Sequence, residues 1–155
     1  MLRVKADKRA IGFDIKMAWL AISRMYNQKA ARGGISTNTG FVLLHIDEKN
    51  GTPATKIAPL MGMEPRSLSR ILARMEQEGL IRREPDANDR RMVRIFPTDM
   101  GLEIKAAVKE EVIAFNKELY GRIPAHKLDT FFEVLDNIQH IIKTTSNANS
   151  RETVK

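Results

Sequence analysis

Residues 62–97, GMEPRSLSRILARMEQEGLIRREPDANDRRMVRIFP, contain eight strong bases, and all eight are Arg. Arg66, Arg70 and Arg74 recur every four residues, which places them on one face of a helix, while Leu68, Ile71, Leu72 and Met75 take the other. One face packs and the other is free to bind. Glu64-Pro65 opens this helix, with Pro at a tolerated first-turn position, and Glu78-Gly79 closes it. Residues 80–84 (LIRRE) and 91–96 (RMVRIF) then read as short strands, joined by the turn-rich segment 85–90 (PDANDR).

A helix followed by an arginine-tipped hairpin predicts a winged helix-turn-helix. The expected fold class is mainly α with a small β-hairpin wing. The formal net charge is +7, distributed as +6 over residues 1–34, zero over 35–61, +2 over 62–97 and −1 over 98–155. Charge alone would therefore single out the first helix. Residue identity singles out 62–97, because Arg suits bidentate contact with phosphate and guanine.

The flanks complete the architecture. Ile11, Ile15, Trp19 (or Ala18), Ile22 and Met25 (or Tyr26) predict an amphipathic helix over about residues 7–30, stopped by Arg32-Gly33-Gly34. Ser36 or Thr37 is placed to cap a second helix running to about Ile46, with Phe41, Val42, Leu43 and Leu44 as apolar contacts. A turn at 47–51 follows, and Thr52-Pro53 opens a third helix with Ile57, Leu60 and Met61 inward. Pro59 falls inside that helix and predicts a bend or a short helix. A helix over about 98–120, a break at Gly121-Arg122-Ile123-Pro124 and a final helix from Ala125 are expected next. In the final helix Leu128, Phe131, Phe132, Leu135, Ile138, Ile141 and Ile142 form a longer apolar stripe than a small domain buries, so a partner surface is expected. Residues 144–155 are polar and read as a disordered tail.

Composition excludes several classes. With 155 residues and 43% hydrophobic content the chain suits one globular domain. The longest apolar run, residues 17–22, cannot span a bilayer, and the start of the chain has no apolar stretch or cleavage site, so a cytoplasmic protein is expected. The absence of cysteine excludes disulfides and Cys-ligated zinc, and His45, His126 and His140 lack metal-ligand spacing. No nucleotide-binding glycine pattern or nucleophile motif appears, so no cofactor, no metal and no enzymatic activity are expected.

Three segments resemble the MarR family of transcriptional regulators: Ile57-Ala58 with Met61-Gly62-Met63, residues 75–83 (MEQEGLIRR), and residues 85–91 (PDANDRR) with Thr98-Asp99-Met100-Gly101. The resemblance runs from about residue 10 to 142. It implies a homodimer in which residues 35–97 form the DNA-binding lobe and residues 7–32 and 98–143 form the helical dimerisation region. Glu64, in place of the usual small hydroxyl cap, and Pro59 depart from the family pattern.

The recognition helix would enter the major groove N-terminus first, with Pro65, Arg66, Ser67, Ser69 and Arg70 in reach and Arg74 farther along. Arg66 and Arg70 suit either guanine or phosphate, and the bland alternative is a solvated face. In the wing the family's Asp-x-Arg pattern falls on Asp89 and Arg91. By resemblance Asp89 holds Arg91 while Arg91 reaches into an A·T-narrowed minor groove. Arg90 competes for that contact, and an Asp89–Arg91 surface ion pair of little consequence is the alternative. Arg82, Arg83 and Arg94 are expected on phosphates or in salt bridges within the sheet. Trp19, Phe41 and His45 are candidates to contact a small aromatic or amphipathic effector, although such residues more often pack in a core.

The expected function is sequence-specific binding of double-stranded DNA by a ligand-responsive homodimeric repressor. Two recognition helices about 34 Å apart would require a pseudo-palindromic operator. The alternative is a winged-helix module that binds nucleic acid non-specifically or binds a protein, and its mark would be affinity set by salt alone.

Overall fold

In chain order the elements are α1 (Ile11–Arg32), α2 (Thr37–Leu44), β1 (Thr52–Pro53), α3 (Ala54–Leu60), α4 (Pro65–Gln77), β2 (Ile81–Pro85), β3 (Val93–Pro97), α5 (Asp99–Arg122) and α6 (Ala125–Glu152). These come from a computed structural model that describes residues 10–32 and 34–152. The expected helix start at residues 7–9 and the Gly33 stop lie outside the described residues. By contact the chain divides into two units, Met1–Lys109 and Glu110–Lys155.

The first unit contains the main apolar core. Val42, Leu43 and Ile46 from the second helix and the turn after it meet Ile57 and Ala58 of α3, Leu68, Leu72 and Met75 of α4, and Leu80, Ile81 and Ile95 around the sheet. All of these are buried. Each large aliphatic side chain removed from water in this way contributes about 1.5–3 kcal/mol. The Ser36 hydroxyl caps α2 by accepting from the Thr39 N–H at 3.2 Å.

The hairpin gains a third strand that the sequence did not predict. Thr52 and Pro53, expected to open α3, pair antiparallel with Ile95 and Arg94, giving the order β1-β3-β2. Thr52 uses its hydroxyl to close the preceding loop, accepting from the Asp47 N–H at 2.9 Å and donating to the His45 carbonyl at 3.2 Å. It is therefore unavailable as a cap. In the wing, β2 and β3 pair from Ile81 opposite Pro97 to Pro85 opposite Val93.

The helix α3 has only seven residues, with Pro59 inside. Leu60, expected inward, is exposed because the helix ends there. Both α3 and α4 end in the same pair of bonds: Gly62 N–H to Pro59 O with Met63 N–H to Ala58 O, and Gly79 N–H to Glu76 O with Leu80 N–H to Met75 O. This is the Schellman arrangement. Gly79 adopts φ +72°, a left-handed conformation that a side chain would strain.

The division between the units falls within α5. Its first turns are bound into the lobe: Thr98 donates its N–H to Leu80 O at 3.0 Å and its hydroxyl to Gly79 O at 2.6 Å. A Cβ on Gly101 would lie 2.0 Å from Leu80 O, so only glycine permits this approach. In the second unit, Pro124 starts the last helix, its carbonyl accepting from Lys127 and Leu128. That helix continues to Glu152, through most of the polar segment read from the sequence as a tail. Residues 125–152 contain no Gly or Pro to interrupt it, and the Thr144 and Thr145 hydroxyls bond back to the His140 and Ile141 carbonyls within it. Residues 153–155 lie outside the described residues.

Candidate nucleic-acid interface

Burial of Leu68, Leu72 and Met75 fixes the rotation of α4 and turns Arg66, Ser67, Ser69, Arg70 and Arg74 to solvent. Glu64 occupies the N-cap position in extended conformation without making a side-chain cap bond, and Pro65 follows at the first helical position. The Ser69 hydroxyl donates to Pro65 O at 2.9 Å, which leaves its oxygen as an acceptor. Arg74 points its Nε at Glu78 Oε1, 2.8 Å away.

The eight arginines of residues 62–97 divide into two sets. Arg74, Arg82, Arg83 and Arg94 have acidic partners, while Arg66, Arg70, Arg90 and Arg91 are exposed and make no ion pair among the described residues. Arg82 donates to Glu84 at 2.7 Å and to Pro97 O at 2.9 Å, and its guanidinium sits 4.8 Å over the Phe96 ring. Arg83 pairs with Glu76 at 2.9 Å and so joins the wing to α4. Within residues 62–97 the four guanidinium groups without an ion pair among the described residues lie on the first two turns of α4 and the tip of the wing.

Two aspartates shape that tip. Asp89 accepts from the Arg91 backbone N–H at 3.0 Å, not from its guanidinium. The expected hold on Arg91 is therefore a main-chain one. The second aspartate was missed in the sequence: Asp86, only 5% exposed, accepts from the backbone N–H groups of Asn88 at 2.8 Å and Asp89 at 3.2 Å, and pairs with Arg94 Nε. The Asn88 N–H first, and then Arg94, hold its carboxyl below the usual carboxylate range. An Asp two residues before an Asn in a Pro-started turn is the available signal, since such a side chain binds the backbone two residues on.

The three candidate effector residues come together on one side of α2. The Trp19 and Phe41 ring centroids are 6.5 Å apart at 29°, and His45 donates from Nδ1 to Phe41 O at 2.7 Å. Tyr26, not singled out in the sequence, packs edge-on against Phe41 at 5.6 Å. Trp19 is 53% exposed, so it is not a core residue within this unit. A cleft of about 390 Å³ lies elsewhere, between α3 and α4, lined by Ala54, Ala58, Pro59, Met63, Pro65 and Leu68 among others.

Residues 35–93 match the MarR family. A protein named transcriptional regulator HosA, from Escherichia coli O127:H6, is 30% identical over 94 residues, which are 61% of this chain and 70% of that protein. Among solved structures, an S. aureus MepR–DNA complex aligns with TM-score 0.79 at 18% identity, covering 86% of this chain and 98% of the other. CouR from Rhodococcus jostii RHA1, bound to p-coumaroyl-CoA, aligns with TM-score 0.75 at 22% identity, covering 88% and 95%. At these identities the structural likeness is one of fold.

Proposed function

This chain belongs to the MarR family, and on that premise we propose that it is a homodimeric, sequence-specific DNA-binding regulator of transcription. It acts as a repressor that leaves its operator when a small aromatic or amphipathic molecule binds. The observation that carries this proposal is the sorting of the arginines: the four without acidic partners, Arg66, Arg70, Arg90 and Arg91, occupy the recognition helix and the wing tip. Arg66 and Arg70, with Pro65, Ser67 and Ser69 beside them, read the major groove, where a bidentate guanidinium distinguishes guanine. Arg91 enters the minor groove, with Arg90 and the turn-forming Asp89 next to it, while Arg74 lies near the flanking phosphates.

Dimerisation is supported by the apolar side chains left uncovered. In α6 only Leu128 of the apolar stripe is buried, and Phe131, Phe132, Ile141 and Ile142 are exposed; in α1 the same holds of Ile11, Phe13, Ile15 and Met17. Such uncovered stripes suit a self-complementary two-fold interface. A second copy presents a second recognition helix, and the operator is then a pseudo-palindrome with half-sites about 10 bp apart. Trp19, Tyr26, Phe41 and His45 are the proposed effector contacts. The chain has one tryptophan, so quenching of its emission reports binding there.

Fluorescence anisotropy with the DNA upstream of the chain's own gene tests the central proposal. At physiological salt the expected preference over random duplex is about 10³-fold or more. Equal affinity for the two, varying with salt alone, sinks sequence-specific recognition.

A further inference from the structure

Resting on the DNA-binding function proposed above, we propose that Asp86 and Arg94 are positioning residues for the wing. They hold Arg90 and Arg91 at the DNA through a polar tether that runs along the loop 46–51 to Lys105 on α5. The reason such a tether is needed is where the apolar core ends. In the hairpin Ile81 and Ile95 are buried at the base, but Val93 is exposed and the segment 87–91 is exposed throughout. Among the described residues no such apolar burial fixes the outer half, so polar bonds must.

Those bonds form a continuous path. Asp86 closes the turn from within, binding the Asn88 and Asp89 N–H groups with Oδ1 and Arg94 with Oδ2. The backbone tightens the same turn through Asp86 N–H to Met92 O and Met92 N–H to Asp89 O, both at 2.9 Å. Arg94 carries the path out of the wing: one terminal nitrogen donates to Asn50 O at 2.9 Å and Gly51 O at 3.1 Å. The receiving loop is itself stiffened, since Asp47 Oδ1 accepts from the Lys49 and Asn50 N–H groups at 2.9 and 2.7 Å. At its near end Lys105, whose side chain is only 14% exposed, donates to Ile46 O at 2.7 Å and pairs with Glu48 at 3.1 Å.

Arg90 and Arg91 lie between Asp86 and Arg94 in the chain, so their position follows from both ends of the turn. Removing Arg94 leaves the buried Asp86 carboxylate without its ion pair, and removing Asp86 leaves the partly buried Arg94 guanidinium without its acidic partner, which makes the node sensitive to small changes. Asp86→Asn keeps the shape and an acceptor oxygen but loses the ion pair. Arg94→Lys keeps the charge but lacks the fork that reaches the carboxylate and both carbonyls.

A double-mutant cycle separates positioning from general damage. The probe is a duplex enriched by the native chain from a randomised library and flanked by A·T pairs. Asp86→Asn and Arg94→Lys should each weaken binding about tenfold in the native chain. In the background Arg90→Ala/Arg91→Ala the same changes should alter affinity less than about twofold, because the groups they position are gone. Lys105→Met should behave alike with a smaller loss, and together with Arg94→Lys it completes the cycle if Asp86→Asn does not fold. Hydroxyl-radical footprints should lose the minor-groove protection, while dimethyl sulfate protection of guanine N7 in the major groove persists. An equal loss in both backgrounds, or no loss in the native chain, overturns the tether while leaving sequence-specific binding intact. Failure of the native chain to enrich any sequence overturns the DNA-binding function, and the tether with it.

Discussion

Three side chains, Leu68, Leu72 and Met75, each at most 3% exposed, hold α4 in the lobe, whereas the outer wing depends on one carboxylate and one guanidinium, Asp86 and Arg94. The helix α4 and the wing are thus secured by different forces. Apolar burial is non-directional and spread over many contacts, so it sets the rotation of the recognition helix firmly. Polar bonds are directional and few, so they set the wing tip accurately but fail singly. The lobe therefore has one element whose loss is a matter of folding and another whose loss is a matter of placement.

Leu72→Ala is the severest test of this contrast. The cavity it leaves in the core under α4 should destabilise the chain by about 2–5 kcal/mol, seen in chemical or thermal unfolding. A loss well under that range would mean that α4 is not held by burial. Next in size, Arg70→Ala should remove about 1–3 kcal/mol of discrimination between bases at one position of each half-site, with little change in melting temperature. Selection profiles from randomised duplexes would show it as one flattened position. An unchanged profile removes Arg70 from base reading.

Arg74→Ala should do much less. Arg74 and its partner Glu78 are both exposed, with side chains 70% and 41% accessible respectively, and an i,i+4 pair of that kind is worth about 0.3–0.5 kcal/mol. A loss of DNA affinity matching that of Arg70→Ala would place Arg74 on the bases and move the boundary between the two arginine sets. The smallest effect is expected from pH across the working range. Asp86 has a folded-state pKa below its ordinary 3.8. Its contribution is therefore fully present above the unfolded value and is lost only as pH falls through the lower, folded one. Hydrogen exchange in the wing turn, corrected for intrinsic rates, should be flat from pH 8 to pH 5. A step in the native chain near neutrality would contradict the assignment of Asp86 as the anchor.

How far the fold could be read in advance depended on the range of the contacts. The four-residue arginine spacing and the Leu68, Leu72 and Met75 stripe lie within one helix, so periodicity exposed them. The wing followed from proline, asparagine and aspartate turn chemistry over six residues. The strand Thr52–Pro53 escaped notice because two residues have no period, and it exists only through pairing with Ile95 and Arg94. The polar composition of 144–152 argues against burial and says nothing against a helix. Within the site, Asp89 holds Arg91 by its main chain, and the contacts of Tyr26 with Phe41 and of Asp86 with Arg94 depend on pairings between separate segments.

By itself the sequence determined the arginine-faced helix, the hairpin that follows it and the apolar stripes of the flanking helices. Local rules decide all of these, because helix faces, turns and composition are properties of neighbouring residues. Only the tertiary structure decided which arginines are spent inside the protein and which remain available. Arg94 finds Asp86 eight positions away and Asn50 forty-four positions away, and Arg83 finds Glu76 on another element. Eight chemically identical side chains acquire different roles because an ion pair depends on distance in space, which the order of residues along the chain does not contain.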